Sequence, residues 1–117
     1  MSFSKEIRKK IYDKYNGHCA YCGCVLDIKD MQIDHINSKY ISEYYNEEID
    51  NSLNNLNPSC RQCNFYKSTK SIEQFRHDLE DTIWHNLEKM FNYRLLKKYG
   101  QVEEHKTKIK FYFEEHC

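Results

Sequence analysis

The sequence is poor in the residues that punctuate chains: one proline and three glycines in 117 residues. That scarcity excludes a collagen-like chain, a Gly/Ser linker and a low-complexity segment. Net charge is also missing, with 18 Lys and Arg balancing 18 Asp and Glu. Bulk charge therefore gives no reason to expect a polyanionic partner. No run of about eighteen apolar residues occurs, so no membrane-spanning helix is expected. The opening MSFSKEIRKK is charged from residue five and leads into no apolar stretch. It does not read as a secretory leader, and a cytoplasmic, reducing location is the expectation. Aromatic residues are not scarce: they make up 15% of the chain, which argues against disorder. The length suits one domain with a modest core.

The zero net charge is uneven along the chain. Residues 1–24 carry net +3, residues 25–54 net −5, residues 55–77 net +3 and residues 78–117 net −1. The two basic segments are those that hold paired cysteines. If the pairs meet in space, their charges pool into a patch able to steer a polyanion despite the neutral total.

Six cysteines stand at 19, 22, 24, 60, 63 and 117. Two pairs have the C-x-x-C spacing, Cys19-Ala20-Tyr21-Cys22 and Cys60-Arg61-Gln62-Cys63. Two intervening residues let both sulfurs reach one tetrahedral ion, and four thiolates from two such knuckles close a structural Zn²⁺ site. Gly23 suits the tight turn after the first pair. A thioredoxin-like redox unit needs one pair in a strand–helix context, not two matched pairs. Cys24 is an alternative to Cys22, although C-x-C places the sulfurs less well. His18 reads as a knuckle-flanking residue. Cys24 and Cys117 read as free thiols.

Ser4 is an N-cap candidate for a helix with Ile7, Ile11 and Tyr15 on one face, ended by Asn16-Gly17. The first knuckle reads as the turn of a small β-ribbon, and Met31–Ile36 as a strand. Tyr40/Ile41, Tyr44/Tyr45 and Ile49 hint at a short helix in the polar stretch 37–53. Residues 54–58 read as a turn, and Cys60 to Lys67 as a short helix starting in the second knuckle. Ser71-Ile72-Glu73-Gln74 is a capping box of the S-x-x-Q type. Ile72, Phe75, Leu79, Ile83, Leu87, Met90/Phe91 and Leu95 then recur every three or four residues, predicting one long helix to Tyr99, bent near Asp81-Thr82 and closed by Gly100. Ile109, Phe111 and Phe113 alternate with Lys110, Tyr112 and Glu114, which predicts a C-terminal strand.

Between the knuckles lies Asp34-His35 on the predicted strand. Downstream come Asn55-Leu56 and then Cys60-x-x-Cys63-Asn64-x-x-Lys67. The ordered set C-x-x-C-G, D-H, N-L, C-x-x-C-N-x-x-K resembles the HNH endonuclease family in its four-cysteine zinc form, over roughly residues 5–70. The tail from Ser71 is similar to that of small HNH proteins common in phages and bacteria. The resemblance implies an α+β fold: a ββα-metal, treble-clef-like core with zinc-binding knuckles, then a long C-terminal helix and a terminal strand. Residues 1–70 would be the nuclease core and residues 71–117 an extension packed on it, one domain overall. The 71–99 helix offers a surface to cap the core or to form a dimer contact.

The resemblance also implies roles. His35, Asn55 and Asn64 match the three motif positions, and Asp34 the acidic residue before the first His. His35 would be the general base, since imidazole titrates near neutral pH. Asp34 and Asn64 would hold one Mg²⁺ or Mn²⁺, because carboxylate and amide oxygens suit hard cations. Asn55 would hydrogen-bond the loop that aims His35. Lys67 and Arg61, with Lys5, Arg8, Lys9 and Lys10, would contact the DNA backbone. The tyrosines at 40, 44 and 45 are candidates for base stacking, with packing as the alternative. Many relatives carry a Pro and two Gly soon after Asp-His, whereas here the loop reads Asn37-Ser-Lys-Tyr-Ile-Ser-Glu43, without Gly, within the acidic stretch 25–54. The expected function is metal-dependent DNA hydrolysis. The alternative is a zinc-stabilised nucleic-acid-binding or protein-interaction module without catalysis.

Overall fold

A computed structural model describes residues 3–37 and 51–116. The helix expected around Tyr40–Ile49, the tyrosines at 40, 44 and 45, and Cys117 lie outside these residues. The chain divides into two compact units, Met1–Ile72 with Lys110–Cys117, and Glu73–Ile109.

In the first unit, helix α1 spans Lys5–Asp13, and Ser4 Oγ accepts the Ile7 N–H at 3.2 Å as N-cap. The apolar face buries Ile11 and, just past the helix, Tyr15. Asn16 and Gly17 both take positive φ, turning the chain into the first knuckle. Only Gly fits at 17, since a Cβ there would fall 2.7 Å from the Tyr12 hydroxyl. The knuckle is closed by Cys19 N–H to Cys24 O (2.8 Å) and Leu26 N–H to Gly17 O (2.7 Å), and its ribbon is one bridge, His18 to Val25.

Strand β1 (Gln32–His35) pairs antiparallel with β2 (Leu56–Ser59), with Asp34 opposite Asn57 and His35 opposite Leu56. Strand β2 corrects the turn expected at 54–58. Leu-Asn-Pro-Ser has little strand propensity, but in a two-stranded sheet Pro58 needs no N–H for a further neighbour. Its carbonyl accepts the Ala20 N–H at 2.9 Å, tying the first knuckle to the sheet. A 3₁₀ turn at Leu53–Asn55 leads into β2, and helix α2 (Arg61–Lys67) follows it.

Two cations, Arg8 on α1 and Lys14 at its C-cap, serve the fold. Arg8 Nη2 donates to the carbonyls of Ile28 (2.8 Å) and Met31 (3.1 Å). Lys14 Nζ donates to the carbonyls of Leu53 (2.8 Å) and Leu56 (2.9 Å) and to Asn57 Oδ1 (3.1 Å). Arg8 is thus a staple between helix and loop, not a free phosphate contact.

The last residues belong to this unit and correct the predicted terminal strand. Phe111 and Phe113 do share a face, but it packs on the first knuckle. Their rings stand edge-on to Tyr21, with centroids 5.5 and 5.9 Å away. Main-chain bonds from Tyr112 N–H to Tyr21 O (3.0 Å) and Phe113 N–H to Ala20 O (2.8 Å) take the place of a sheet ladder. Tyr112–Glu115 winds into a helical turn, α6, whose Glu114 carboxylate accepts the Phe111 N–H at 2.8 Å.

The second unit corrects the single long helix. Helix α3 (Ile72–His77) passes through a π turn at Asp78–Thr82 into α4 (Ile83–Glu88), and the chain breaks at Lys89-Met90 before α5 (Phe91–Lys98). The π turn falls where the bend was expected. Apolar residues at 75, 79, 83 and 87 are each four apart, which drifts about 40° per step on a 3.6-residue helix, and a wider turn absorbs that drift. No Gly or Pro marks the break at Met90, whose backbone is extended. Gly100 ends α5 with positive φ, and the Gln101 N–H reaches Leu96 O at 2.9 Å, a Schellman closure. No described helix is long and apolar enough to cross a membrane.

The docking of the tail onto the knuckle is testable. Phe111 is 2% exposed. Phe111→Ala in the full chain should cost about 3–5 kcal/mol in urea denaturation followed by circular dichroism, the usual range for a buried phenylalanine. A change within about 1 kcal/mol would show that the tail does not belong to this core.

Candidate active site and metal cluster

The four cysteines of the two C-x-x-C pairs converge. The sulfurs of Cys19, Cys22, Cys60 and Cys63 all lie within 4.8 Å of one another, and Cys24 stands outside the group. A tetrahedral ion with Zn–S bonds of about 2.3 Å needs sulfurs about 3.8 Å apart, so the cluster fits a structural metal such as zinc. The backbone is prepared for thiolates. Cys19 Sγ accepts the N–H groups of Tyr21 and Cys60, both at 3.4 Å, and Cys60 Sγ accepts the Cys63 N–H at 3.4 Å as the N-cap of α2. The Cys63 thiol and these main-chain donors bring the Cys19 thiol down to about 4, against the effect of its burial. The hydrogen bond with Cys19, and then burial, push the Cys63 thiol up. Gly23 holds a positive φ within 2.8 Å (Cβ position to ring carbon) of Tyr112, so the knuckle turn and the docked tail both require glycine there.

Strand β1 carries Asp34 and His35 to opposite sides. His35 is half-exposed, and its Nε2 lies 2.7 Å from Asn51 Oδ1. With the amide oxygen assigned as acceptor, the proton sits on Nε2 and Nδ1 keeps its lone pair. No sequence motif includes Asn51; only its place in the segment leading into β2 puts it near His35. Asn55 is buried. Its Oδ1 accepts the Asn37 N–H at 2.8 Å, its Nδ2 donates to Asn37 O at 3.3 Å, and its carbonyl accepts the Ile36 N–H at 2.9 Å. The two residues after His35 are thereby clamped.

Asp34 points inward and is only 4% exposed. One carboxylate oxygen takes the Tyr21 hydroxyl, and Lys67 Nζ lies 3.0 and 3.2 Å from the two oxygens. The same ammonium donates to the His35 carbonyl at 3.2 Å. Burial pushes the Asp34 carboxyl up, and the Lys67 charge opposes it. Lys67 is 0% exposed, which corrects its assignment as a DNA contact. A buried ammonium is tolerable only when paired and hydrogen-bonded, and here Asp34 and the His35 carbonyl satisfy it.

Asn64 is half-buried on α2, directly after Cys63 and one turn before Lys67. Arg61, the first residue of α2, is 76% exposed and 3.9 Å from Asp30, a surface pair of little energetic weight. Asp34, His35, Asn55 and Lys67 are thus joined by hydrogen bonds, directly or through adjoining backbone. Asn64 lies on α2 one turn before Lys67, and Arg61 stands at the surface. The oxygen donors of Asp34 and Asn64 suit an Mg²⁺-type ion. Such an ion would take over the charge that Lys67 now balances on Asp34.

Residues 19–70 match the HNH endonuclease family. Among solved structures, the chain is similar to the Type II-C Cas9 enzyme from Actinomyces naeslundii, at 22% identity and a TM-score of 0.53. That likeness covers 65% of this chain and 8% of the other, so the chain spans a small part of that enzyme's length. At this identity the likeness shows the fold. No curated protein matches the chain.

The cluster makes a sharp prediction for elemental analysis of the purified chain. One zinc per chain is expected in the parent and in Cys24→Ser, and less than half of that in Cys22→Ser or Cys60→Ser. Full zinc in either of the latter would remove the residue from the ligand set. By its sequence, the segment 19–70 of this chain matches the HNH endonuclease family, and by its fold the chain is similar to a Cas9 enzyme.

Proposed function

We propose that the chain is a divalent-metal-dependent endonuclease that hydrolyses DNA phosphodiester bonds, with His35 as general base. The observation that carries this reading is the placement of His35: a half-exposed imidazole oriented by Asn51, on backbone held by Lys67 and followed by residues clamped to Asn55. In the proposed reaction His35 takes the proton of the attacking water on Nδ1, the nitrogen that Asn51 leaves available. Asp34 and Asn64 would hold the cation, which when bound would supply charge neutralisation at the phosphate and the leaving oxygen. Asn55 and Lys67 keep the His35 backbone in place. Arg61 and the exposed lysines of α1 bring positive charge toward a phosphate backbone. A reducing compartment keeps the four thiols free to bind metal.

One observation favours the second reading, a zinc-stabilised binding module without catalysis. The Asp34 carboxylate is already neutralised by Lys67. Such a module binds DNA or a partner without Mg²⁺ and yields no cleavage product.

Plasmid cleavage separates the two. The parent should nick or cut supercoiled plasmid with Mg²⁺ or Mn²⁺ and be silent in EDTA. His35→Ala should lose about 10²–10⁴-fold in rate, the usual contribution of a general base, at unchanged zinc content and melting temperature. A His35→Ala protein that cuts at the parent's rate removes His35 from the chemistry. A parent without product in any metal favours the binding module.

A further inference from the structure

Tyr21 lies between the two cysteines of the first pair and is 3% exposed. Its ring is enclosed by Phe111 and Phe113, and its carbonyl accepts the Tyr112 N–H at 3.0 Å. A phenylalanine would fill the same space, so the packing does not call for a hydroxyl. The hydroxyl instead donates to Asp34 Oδ2, while Asn57 Nδ2 donates to its oxygen at 3.5 Å. Lys67 is the other donor on this carboxylate and also holds the His35 carbonyl. A continuous path of short contacts therefore runs from the cysteine cluster, through one side chain of its knuckle, to the residue next to the imidazole.

We propose that Tyr21 is a positioning residue of the hydrolytic centre: carried on the first cysteine pair and clamped by the C-terminal phenylalanines, it fixes the carboxylate of Asp34, the residue preceding His35 on β1. The inference rests on the nuclease reading above. With the hydroxyl in place, the carboxylate is held between two donors. Without it, the carboxylate turns onto the ammonium alone, and its hold on a divalent ion weakens.

The test uses the full chain and its Tyr21→Phe variant, with Mn²⁺ as the probe. Both proteins are matched for zinc content and studied below their melting transitions. Free Mn²⁺ is measured by electron paramagnetic resonance without DNA, and plasmid nicking is followed across Mn²⁺ concentration. Tyr21→Phe should raise the half-saturating Mn²⁺ about tenfold in both, in keeping with loss of one hydrogen bond to a charged group, while KM for DNA stays within twofold. In an Asp34→Asn background the same substitution should change Mn²⁺ binding less than twofold, because its effect passes through Asp34. A parent that binds Mn²⁺ and nicks, with Tyr21→Phe equal to it in both, overturns the positioning role and leaves the nuclease reading standing. An undiminished effect in the Asp34→Asn background also overturns it. A parent that neither binds Mn²⁺ nor nicks overturns the nuclease reading, and this inference with it.

Discussion

The rest of the first unit depends on the convergence of four sulfurs. Cys19 and Cys22 lie some forty residues before Cys60 and Cys63, and their meeting brings the first knuckle against β2 and α2. Beside the sulfurs stand hydrogen bonds from Ala20 to Pro58, from the Cys60 amide to Cys19 Sγ and from Asn57 Nδ2 to the Tyr21 hydroxyl. A structural zinc in such a site commonly contributes about 10–16 kcal/mol of apparent binding free energy. A small domain with a modest apolar core has a net stability of only about 5–15 kcal/mol, so the ion is of the same size as the whole margin.

That constraint explains how an unusually polar interior is tolerated. Asp34, Lys67, Asn55, Asn57 and Ser59 are all buried around the two-stranded sheet. A buried ion pair is weak evidence for stability, because desolvation offsets much of its attraction. Its value here is geometric. Lys67 ties α2, the helix that follows the second cysteine pair, to Asp34 and to the backbone of His35. Tyr21 ties the first cysteine pair to the same carboxylate. The metal cluster and the candidate active site are therefore two ends of one hydrogen-bonded assembly.

Legibility in the sequence followed the range of each interaction. The cysteine pairs, the Ser4 cap and the helix after Cys60 are local patterns and could be read directly. Strand β2 could not, because Leu-Asn-Pro-Ser reads as a turn until its partner strand is known. The alternation of Phe111 and Phe113 reported a real shared face, but that face packs on a knuckle instead of a sheet. The π turn matched a drift in apolar spacing, whereas the break at Met90 has no local mark. Lys67 looked like a surface cation because no local pattern encodes burial by a carboxylate thirty-three residues away. Tyr21 and Asn51 escaped for the same reason, since their partners Asp34 and His35 are distant in sequence.

The most direct measurement is thermal unfolding of the full chain before and after complete removal of metal by a chelator, with zinc content measured in parallel. If the thiolate-bound ion holds the first unit together, the metal-free chain should lose its cooperative transition in that unit and regain it when one equivalent of zinc is restored. A metal-free chain that melts at the same temperature, with the same amplitude, would contradict the dependence of this fold and its candidate active site on the cysteine cluster.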